Sequence, residues 1–307
     1  MAPAVARNVG PRLAAMGGVG VAVIDDSQTY SNPASVYFYD GEYSFLLGTY
    51  LSDSIGVASW PYVPSTTIKG AFTGQRMALD FSVSFDSENP REDGNVDVYQ
   101  TTTIDVNLSA GYGPVSAGLG ISGGSVRQRL DVPMNHMGDY LMQLFLAQYD
   151  RVVNSEFLQV KAGLLVKRNQ LSLGVLFDNI LDKDGAKTTF NFRTLFAHTG
   201  IGFYWSRDEY SKRGQMNHLV YSLAGEIDNL FTSSSRCMNL GGELVFRLVR
   251  DFSISARAGY SHVFSHTEQS RYTFGVGLYT GNLKASTYLE FPNDGPISIS
   301  MNGTLEF

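Results

Sequence analysis

The sequence contains little that would support disulfide, metal or nucleic-acid chemistry. Cys237 is the single cysteine among 307 residues, which excludes an intramolecular disulfide and a zinc site built from several cysteines. Charged residues make up 17% of the chain, the net charge is −6, and no long run of Lys or Arg is present. We therefore expect no nucleic-acid partner. No cofactor and no metal site are predicted.

Long hydrophobic runs are also lacking. No window offers the roughly 18 to 20 apolar residues that a membrane-spanning helix needs. The apolar stretch from Leu13 to Ile24, preceded by Arg7 and Arg12, superficially resembles a signal peptide, but it is rich in glycine and no small-residue cleavage site follows before Asp25. We therefore expect that the export signal is absent from this sequence. If the protein spans a membrane, it does so with strands.

What the chain does contain is alternation of apolar and polar residues. From Met77 to Phe85 every odd residue is apolar and the even ones are small or polar, which is the period of a β-strand. The same period recurs on both sides of short turns at 113–114, 168–170, 249–251 and 281–282, and therefore predicts antiparallel hairpins. Weaker strands are predicted near 42–50, 65–72, 189–206 and 218–230. The total is about fourteen strands, most of them near the roughly 9 to 11 residues that a tilted strand needs to cross a bilayer.

Two features favour a membrane barrel over a soluble β-sandwich. The second face of the strands consists largely of Ser, Gly, Asn and Thr, with too little charge for a surface in bulk water. Aromatic residues recur near the predicted strand ends, as the interfacial girdles of such barrels require. They are Tyr112, Phe157, Phe177, Trp205, Phe252, Tyr260, Tyr272 and Tyr279. We predict an all-β fold, a transmembrane antiparallel β-barrel of about fourteen strands over 41–307, whose longest external loop spans 128–154.

Residues 1–40 do not alternate and are predicted to precede the barrel. They carry Arg7, Gly10, the run Met16–Ala22, Asp25-Asp26 and Asn32-Pro33-Ala34-Ser35. Together with the number of strands and the terminal Phe307, this pattern resembles the FadL-type family of outer-membrane transport proteins.

In that family the N-terminal segment forms a hatch inside the lumen, so the resemblance implies a hatch over 1–40 here. Glycine lets a backbone lie against a wall or adopt positive φ, and proline fixes a tight turn. The predicted hatch or gate residues are Gly17, Gly18, Gly20, Asn32, Pro33 and Ala34. We expect scattered polar contacts, rather than a continuous apolar core, to hold the hatch against the inner face. The polar residues offered there are Asp80, Asp105, Lys161, Glu243 and Arg257.

The resemblance also implies a location and a function. It implies the outer membrane of a diderm bacterium, passive uptake of hydrophobic molecules such as long-chain fatty acids, contact with outer-membrane lipid, and recognition of Phe307 by the barrel-assembly machinery. The chain is shorter than the best-known fatty-acid transporters of the family, so its external loops must be trimmed and its ligand is left open. A related branch serves as carriers in protein secretion, so a structural or secretion-carrier barrel that binds proteins through its loops is the alternative. An open porin is disfavoured by the plug.

The loop 128–154 is the best candidate for ligand capture. Its apolar residues fall at helical rather than strand spacing, and an external amphipathic helix either packs on the barrel mouth or receives a hydrophobic ligand. The stripe consists of Met137, Tyr140, Leu141, Leu144 and Phe145. In the family the corresponding loop helps to form the first capture groove, which is what the resemblance implies here. Arg127 and Arg129 are candidates to pair with a carboxylate head group.

One short motif matches the sequence pattern of a catalytic site. Residues 120–124 match the nucleophile-elbow pattern Gly-x-Ser-x-Gly, with Ser122 at the nucleophile position. They end a predicted strand and no helix begins there, so the match indicates a glycine-rich strand end. We predict that the protein is not an enzyme.

Overall fold

The structure is a computed structural model. It describes residues 11–24, 32–38, 43–54, 65–88, 91–92, 95–130, 152–178, 181–184, 187–190, 199–207, 219–230, 236–249, 252–264, 269–293 and 297–306. Nearly all of them belong to antiparallel strands. Within these ranges no helix has both the length and the apolar character needed to cross a membrane.

Two short helical elements come first, and strands follow to the end of the chain. Helix α1 spans Pro11–Ala15 and a 3-10 helix spans Pro33–Phe38. The strands are β1 Tyr43–Ser54, β2 Ser65–Thr73, β3 Met77–Glu88, β4 Arg91–Glu92, β5 Asn95–Tyr112, β6 Val115–Leu130, β7 Val152–Arg168, β8 Leu171–Phe177, β9 Leu181–Asp184, β10 Lys187–Phe190, β11 Thr199–Arg207, β12 Leu219–Asp228, β13 Arg236–Val249, β14 Phe252–Phe264, β15 Gln269–Thr280, β16 Leu283–Pro292 and β17 Ser298–Glu306.

The main sheet closes on itself. Each strand pairs antiparallel with its neighbours in the order β3, β2, β1, β17, then back through β16 to β11, and on through β8, β7, β6 and β5; β3 also pairs with β5, which completes the ring. The closing seam joins the first and last strands, with Leu46 opposite Glu306 and Ser54 opposite Ser298. Strand β4 pairs with the beginning of β5, and β9 and β10 form a separate hairpin. A closed ring satisfies the backbone hydrogen bonds of a sheet without leaving an edge.

The hairpins predicted around the tight turns are confirmed, but two boundaries are wrong. The prediction of one strand over 189–206 is corrected, because β10 ends at Phe190 in the separate hairpin and β11 begins at Thr199. The loop predicted over 128–154 is shorter, because β6 continues to Leu130 and β7 begins at Val152. The predicted loop is too long because apolar alternation ends before backbone pairing does, whereas the predicted strand over 189–206 joins residues of two different sheets.

Burial in this barrel is the reverse of burial in a soluble protein. The outer face of the ring exposes large apolar side chains on strand after strand, including Phe81, Leu119, Leu173, Phe274 and Met301. The inner face buries serines, asparagines and charged residues. A soluble monomer rarely exposes an apolar surface of this extent, whereas a bilayer favours it. The distribution therefore indicates a wall whose solvent is lipid.

Candidate functional site

The two described parts of the N-terminal segment, residues 11–24 and 32–38, lie against the inner face of the ring. Helix α1 contacts β14 to β17, and the 3-10 helix contacts β2, β3, β5, β6 and β7. Helices this short have no stability of their own in water, so contacts with the wall must hold them. The segment thus reaches most of the circumference of the lumen.

Glycines of the wall make room for this segment. A Cβ added to Gly275 would lie 2.7 Å from Ala15 Cβ, and one added to Gly118 would lie 2.5 Å from the Ala34 nitrogen. A Cβ at Gly163, Gly174, Gly241 or Gly259 would collide with atoms of Asn32, Val21, Met16 or Gly17. Real Cβ atoms do not approach so closely. The N-terminal backbone therefore follows a track of glycines across the strands.

An apolar core holds the segment, which corrects the expectation of scattered polar contacts. Leu13, Met16, Val19, Ala22, Val23 and Ala34 form one buried cluster with Leu165, Tyr204 and Ala224 of the wall. Burial of a Val, Leu or Met side chain stabilises by about 1.5 to 3 kcal/mol. Displacing residues 13–23 as a unit would therefore be costly. The signal for this core was the stretch Leu13–Ile24, whose lack of any period concealed which residues faced the wall.

Charged groups join helix α1 to the wall. Arg12 donates from Nε and Nη2 to Glu243 Oε2, at 3.0 and 2.6 Å, and Arg257 donates from Nε to Glu243 Oε1 at 2.8 Å. Arg257 also donates to Ser286 Oγ and Tyr279 OH. The side chains of Glu243 and Arg257 are 2% and 0% exposed, so this pair is fully buried, whereas that of Arg12 is 17% exposed. A buried carboxylate needs such partners, because its desolvation is otherwise unfavourable by several kcal/mol.

Two further wall side chains bind the backbone of the segment. Glu226 Oε2 accepts hydrogen bonds from the amides of Gly20 and Val21, at 2.6 and 2.7 Å. Thr273 Oγ1 accepts from the Gly17 amide and donates to the Ala15 carbonyl oxygen, at 3.1 and 2.9 Å. The sequence prediction missed both residues. The sequence offered one signal for Glu226 and Thr273, which is a charged residue or a threonine on a strand face that otherwise consists of Ser and Gly.

The predicted motif Asn32-Pro33-Ala34 lies on the opposite part of the wall. Asn32 Nδ2 donates to the Val21 carbonyl oxygen at 2.7 Å, and the Leu164 and Val175 carbonyl oxygens lie at 3.3 Å. Its Oδ1 accepts from the Ala34 amide at 3.0 Å, which closes the turn. Asn32 therefore links the two described parts of the segment to each other and to β7 and β8.

The predicted roles of Gly17, Gly18 and Gly20 differ in the structure. Gly17 and Gly18 both have positive φ, +79° and +87°, which disfavours any other residue. A Cβ at Gly17 would lie 2.7 Å from the Leu240 carbonyl oxygen, whereas one at Gly18 would make only an ordinary contact of 3.5 Å with Arg271. At Gly18 it is therefore the positive φ, rather than contact with the wall, that requires glycine. Gly20 contributes its amide to Glu226.

Of the other predicted site residues, Arg127 and Arg129 lie in β6, where they pair with Asn154 and Val152 of β7. The stripe Met137, Tyr140, Leu141, Leu144 and Phe145 lies outside the described residues, as does Phe307.

Comparison by sequence gives no relatives: no protein-family model matches the chain, and no curated protein matches it. Comparison by structure does. The toluene transporter TodX of Pseudomonas putida superposes with a TM-score of 0.62 at 11% identity, over 96% of this chain and 96% of TodX. A Pseudomonas aeruginosa FadL homologue superposes with a TM-score of 0.58 at 10% identity, over 95% of each chain. The chain therefore has the same fold as TodX and the FadL homologue.

Proposed function

We propose that this protein is an outer-membrane channel for the passive uptake of hydrophobic small molecules, with the N-terminal segment as a hatch in its lumen. The observation that carries the proposal is the combination of a lipid-compatible outer face with an interior occupied by an apolar, wall-anchored segment. A barrel made only for structure needs no such interior, and an open porin would leave its lumen free for water.

We infer that the complete wall contains fourteen strands. The pairings pass through every strand except β4, β9 and β10, and they return to the starting strand. An even number of strands puts both chain ends on the same side, where the tight turns also lie, and in outer-membrane barrels that side is periplasmic. The longer connections would then face outward, where a ligand arrives.

The likeness to TodX and to the FadL homologue supports a hydrophobic ligand in general. One solved form of TodX, with a TM-score of 0.61 at 10% identity over 98% of each chain, is described as a monoaromatic hydrocarbon channel. Long-chain fatty acids are a second candidate ligand class, with Arg127 and Arg129 as partners for the carboxylate and the stripe Met137, Tyr140, Leu141, Leu144 and Phe145 as the capture surface. Molecules of both classes are largely apolar, which is the property that the proposal requires.

Uptake by cells tests the proposal. Cells that produce the protein in their outer membrane should accumulate labelled toluene or dodecanoate faster than cells without it, whereas the entry of a labelled disaccharide should be unchanged. Outer-membrane insertion is checked by the gel mobility of the protein before and after boiling, because a closed hydrogen-bonded wall resists unfolding in detergent.

Two outcomes would contradict the proposal. Faster entry of the disaccharide as well would indicate an open pore rather than a plugged channel. Unchanged entry of all three probes, with the protein correctly inserted, would favour a structural or secretion-carrier barrel that binds proteins through its external loops.

A further inference from the structure

The inner face of β3, β5, β6 and β7 carries a polar surface beside the 3-10 helix. Register places Asp80, Asn107, Gly120 and Lys161 in one row across the four strands. The neighbouring row contains Ser82, Asp105, Ser122 and Gln159. We call the seven side-chain-bearing residues of these rows the lumen platform. No contact described for the N-terminal segment uses their polar atoms.

The glycine in the first row leaves a gap that an amide covers. A Cβ added to Gly120 would collide with Asn107 Oδ1 and would lie 3.6 Å from Pro33 Cβ. The Asn107 oxygen therefore lies over Gly120, next to the hatch and between Asp80 on one side and Lys161 on the other. This oxygen can occupy its position beside Lys161 because residue 120 has no Cβ.

The platform offers hydrogen-bond acceptors on one side and a donor on the other. Asp80 is 2% exposed and pairs through Oδ2 with Lys69 Nζ at 3.3 Å, while its Oδ1 has no hydrogen-bond partner. Asp105 accepts from Ser82 Oγ at 3.4 Å. Lys161 is half-buried on β7 and, within the described residues, forms no ion pair.

We propose that the lumen platform binds the hydroxyl group of an otherwise hydrophobic ligand, a long-chain alcohol or an alkylphenol; this rests on the proposed function. A hydroxyl group both donates and accepts, so it can accept from the Lys161 ammonium group and donate to Asn107 Oδ1 over Gly120. A carboxylate satisfies only Lys161 and faces the negative charges of Asp80 and Asp105. A hydrocarbon would displace water from Lys161 and Asn107 without forming a hydrogen bond to either residue.

Binding to the full-length protein in lipid nanodiscs tests the site, with 1-dodecanol, dodecane and dodecanoate as probes and empty nanodiscs as the reference for partitioning. The wild-type protein should bind 1-dodecanol about tenfold more tightly than dodecane, the ratio expected for one hydrogen bond to a charged group. Lys161→Met keeps the apolar stem and removes the charge. It should weaken binding of 1-dodecanol about tenfold and leave binding of dodecane within about twofold.

Two matched controls separate the site from general effects on the lumen. Lys167→Met alters a lysine further along the same strand, where the ammonium group lies 5.9 Å from the Phe38 ring, and it should leave the ratio of alcohol to hydrocarbon affinity unchanged. Gly120→Ala displaces the Asn107 amide and should reduce that ratio, whereas Gly303→Ala, whose added Cβ meets nothing within 4 Å, should not.

Four results would overturn the proposal. Wild-type protein that binds 1-dodecanol no more tightly than dodecane has no hydroxyl site. Tightest binding of dodecanoate would make Lys161 an anion site. An equal loss of 1-dodecanol and dodecane affinity in Lys161→Met would indicate a change of shape. Absence of binding of all three probes to folded wild-type protein would overturn the proposed function as well, which distinguishes that failure from the first three.

Discussion

The two described parts of the N-terminal segment share an apolar cluster but are held against the wall by different polar groups. The polar contacts of residues 11–24 involve charge, with Glu243 between two arginines and Glu226 accepting from two amides. Residues 32–38 depend on neutral groups, since Asn32 binds carbonyl oxygens and Ser116 Oγ donates to the Ala34 carbonyl oxygen at 2.7 Å. Both parts lie over wall glycines. Close approach of the backbone to the wall is therefore common to both parts, whereas the polar contacts that hold each part differ.

The largest effect should come from removing the carboxylate between the arginines. Glu243→Gln leaves Arg257 and Arg12 without their anion in a buried site, so the free energy of unfolding should fall by about 3 to 5 kcal/mol. Urea unfolding of the protein in lipid vesicles measures this. Glu290→Gln is the matched control, because the Glu290–Arg271 pair, at 3.5 Å, is partly exposed and should contribute about 1 kcal/mol or less. Equal losses in the two variants would contradict the larger contribution expected of the buried Glu243.

Blocking the glycine track should be the next largest effect, and it should act on both parts alike. Gly259→Ala and Gly118→Ala each place a Cβ against the N-terminal backbone, so each should destabilise by about 3 kcal/mol, near the upper end for overpacking. Dislodging the segment should also raise the conductance of the protein in planar bilayers. Gly303→Ala should change neither quantity. Conductance no higher in either variant, or in a folded protein without residues 2–36, would refute the plug.

The neutral anchor should contribute less than the charged one. Asn32→Ala removes the bonds to the Val21, Leu164 and Val175 carbonyl oxygens and opens the turn to Ala34, at a loss of about 2 kcal/mol. Unlike Glu243→Gln, it leaves no buried charge unpaired. A loss greater than that of Glu243→Gln, measured by the same urea unfolding, would reverse the ranking of the two parts.

The smallest effect is expected for the arginine of helix α1. Arg12→Met removes one partner of Glu243 but leaves its bond with Arg257, so the carboxylate stays paired and the loss should be about 1 kcal/mol. The comparison with Glu243→Gln is the informative measurement. If Arg12→Met lowers the free energy of unfolding as much as Glu243→Gln, the Glu243–Arg257 pair of the wall does not stabilise the protein without Arg12.

The wall could be predicted from the sequence wherever lipid imposes an apolar face. Met77–Phe85 and the hairpin around 281–282 alternate over their whole membrane-facing length, and the structure confirms both. The prediction failed at the ends of β6 and β7, where backbone pairing continues beyond the apolar alternation, and at 189–206, where the predicted single strand combines residues of two different sheets. Backbone pairing alone produces no periodic pattern of residue types. A period of two appears only where the two faces of a strand lie in different environments.

The candidate site was less predictable for a related reason. The motif Asn32-Pro33-Ala34 and the positive φ of Gly17 and Gly18 follow from local backbone chemistry, so residue types alone indicate them. The apolar core around Met16 and Val19, and its partners Leu165 and Tyr204, depend on which strands face one another across the lumen. Glu226 and Thr273 bind backbone amides more than 200 positions away in the chain. No local pattern encodes such contacts.

The separation in sequence between the N-terminal segment and its anchors also bears on the order of assembly. Arg12 and Glu243 are 231 positions apart, and Gly17 and Thr273 are 256 apart. Residues 11–24 therefore wait for β13 to β15, more than 200 positions later in the chain, before these polar contacts can form. Contacts of this range form slowly. A chain that ends before β13 lacks Glu243 and Thr273, so helix α1 has neither its ion pair nor its hydrogen bond at Ala15 until those strands are present.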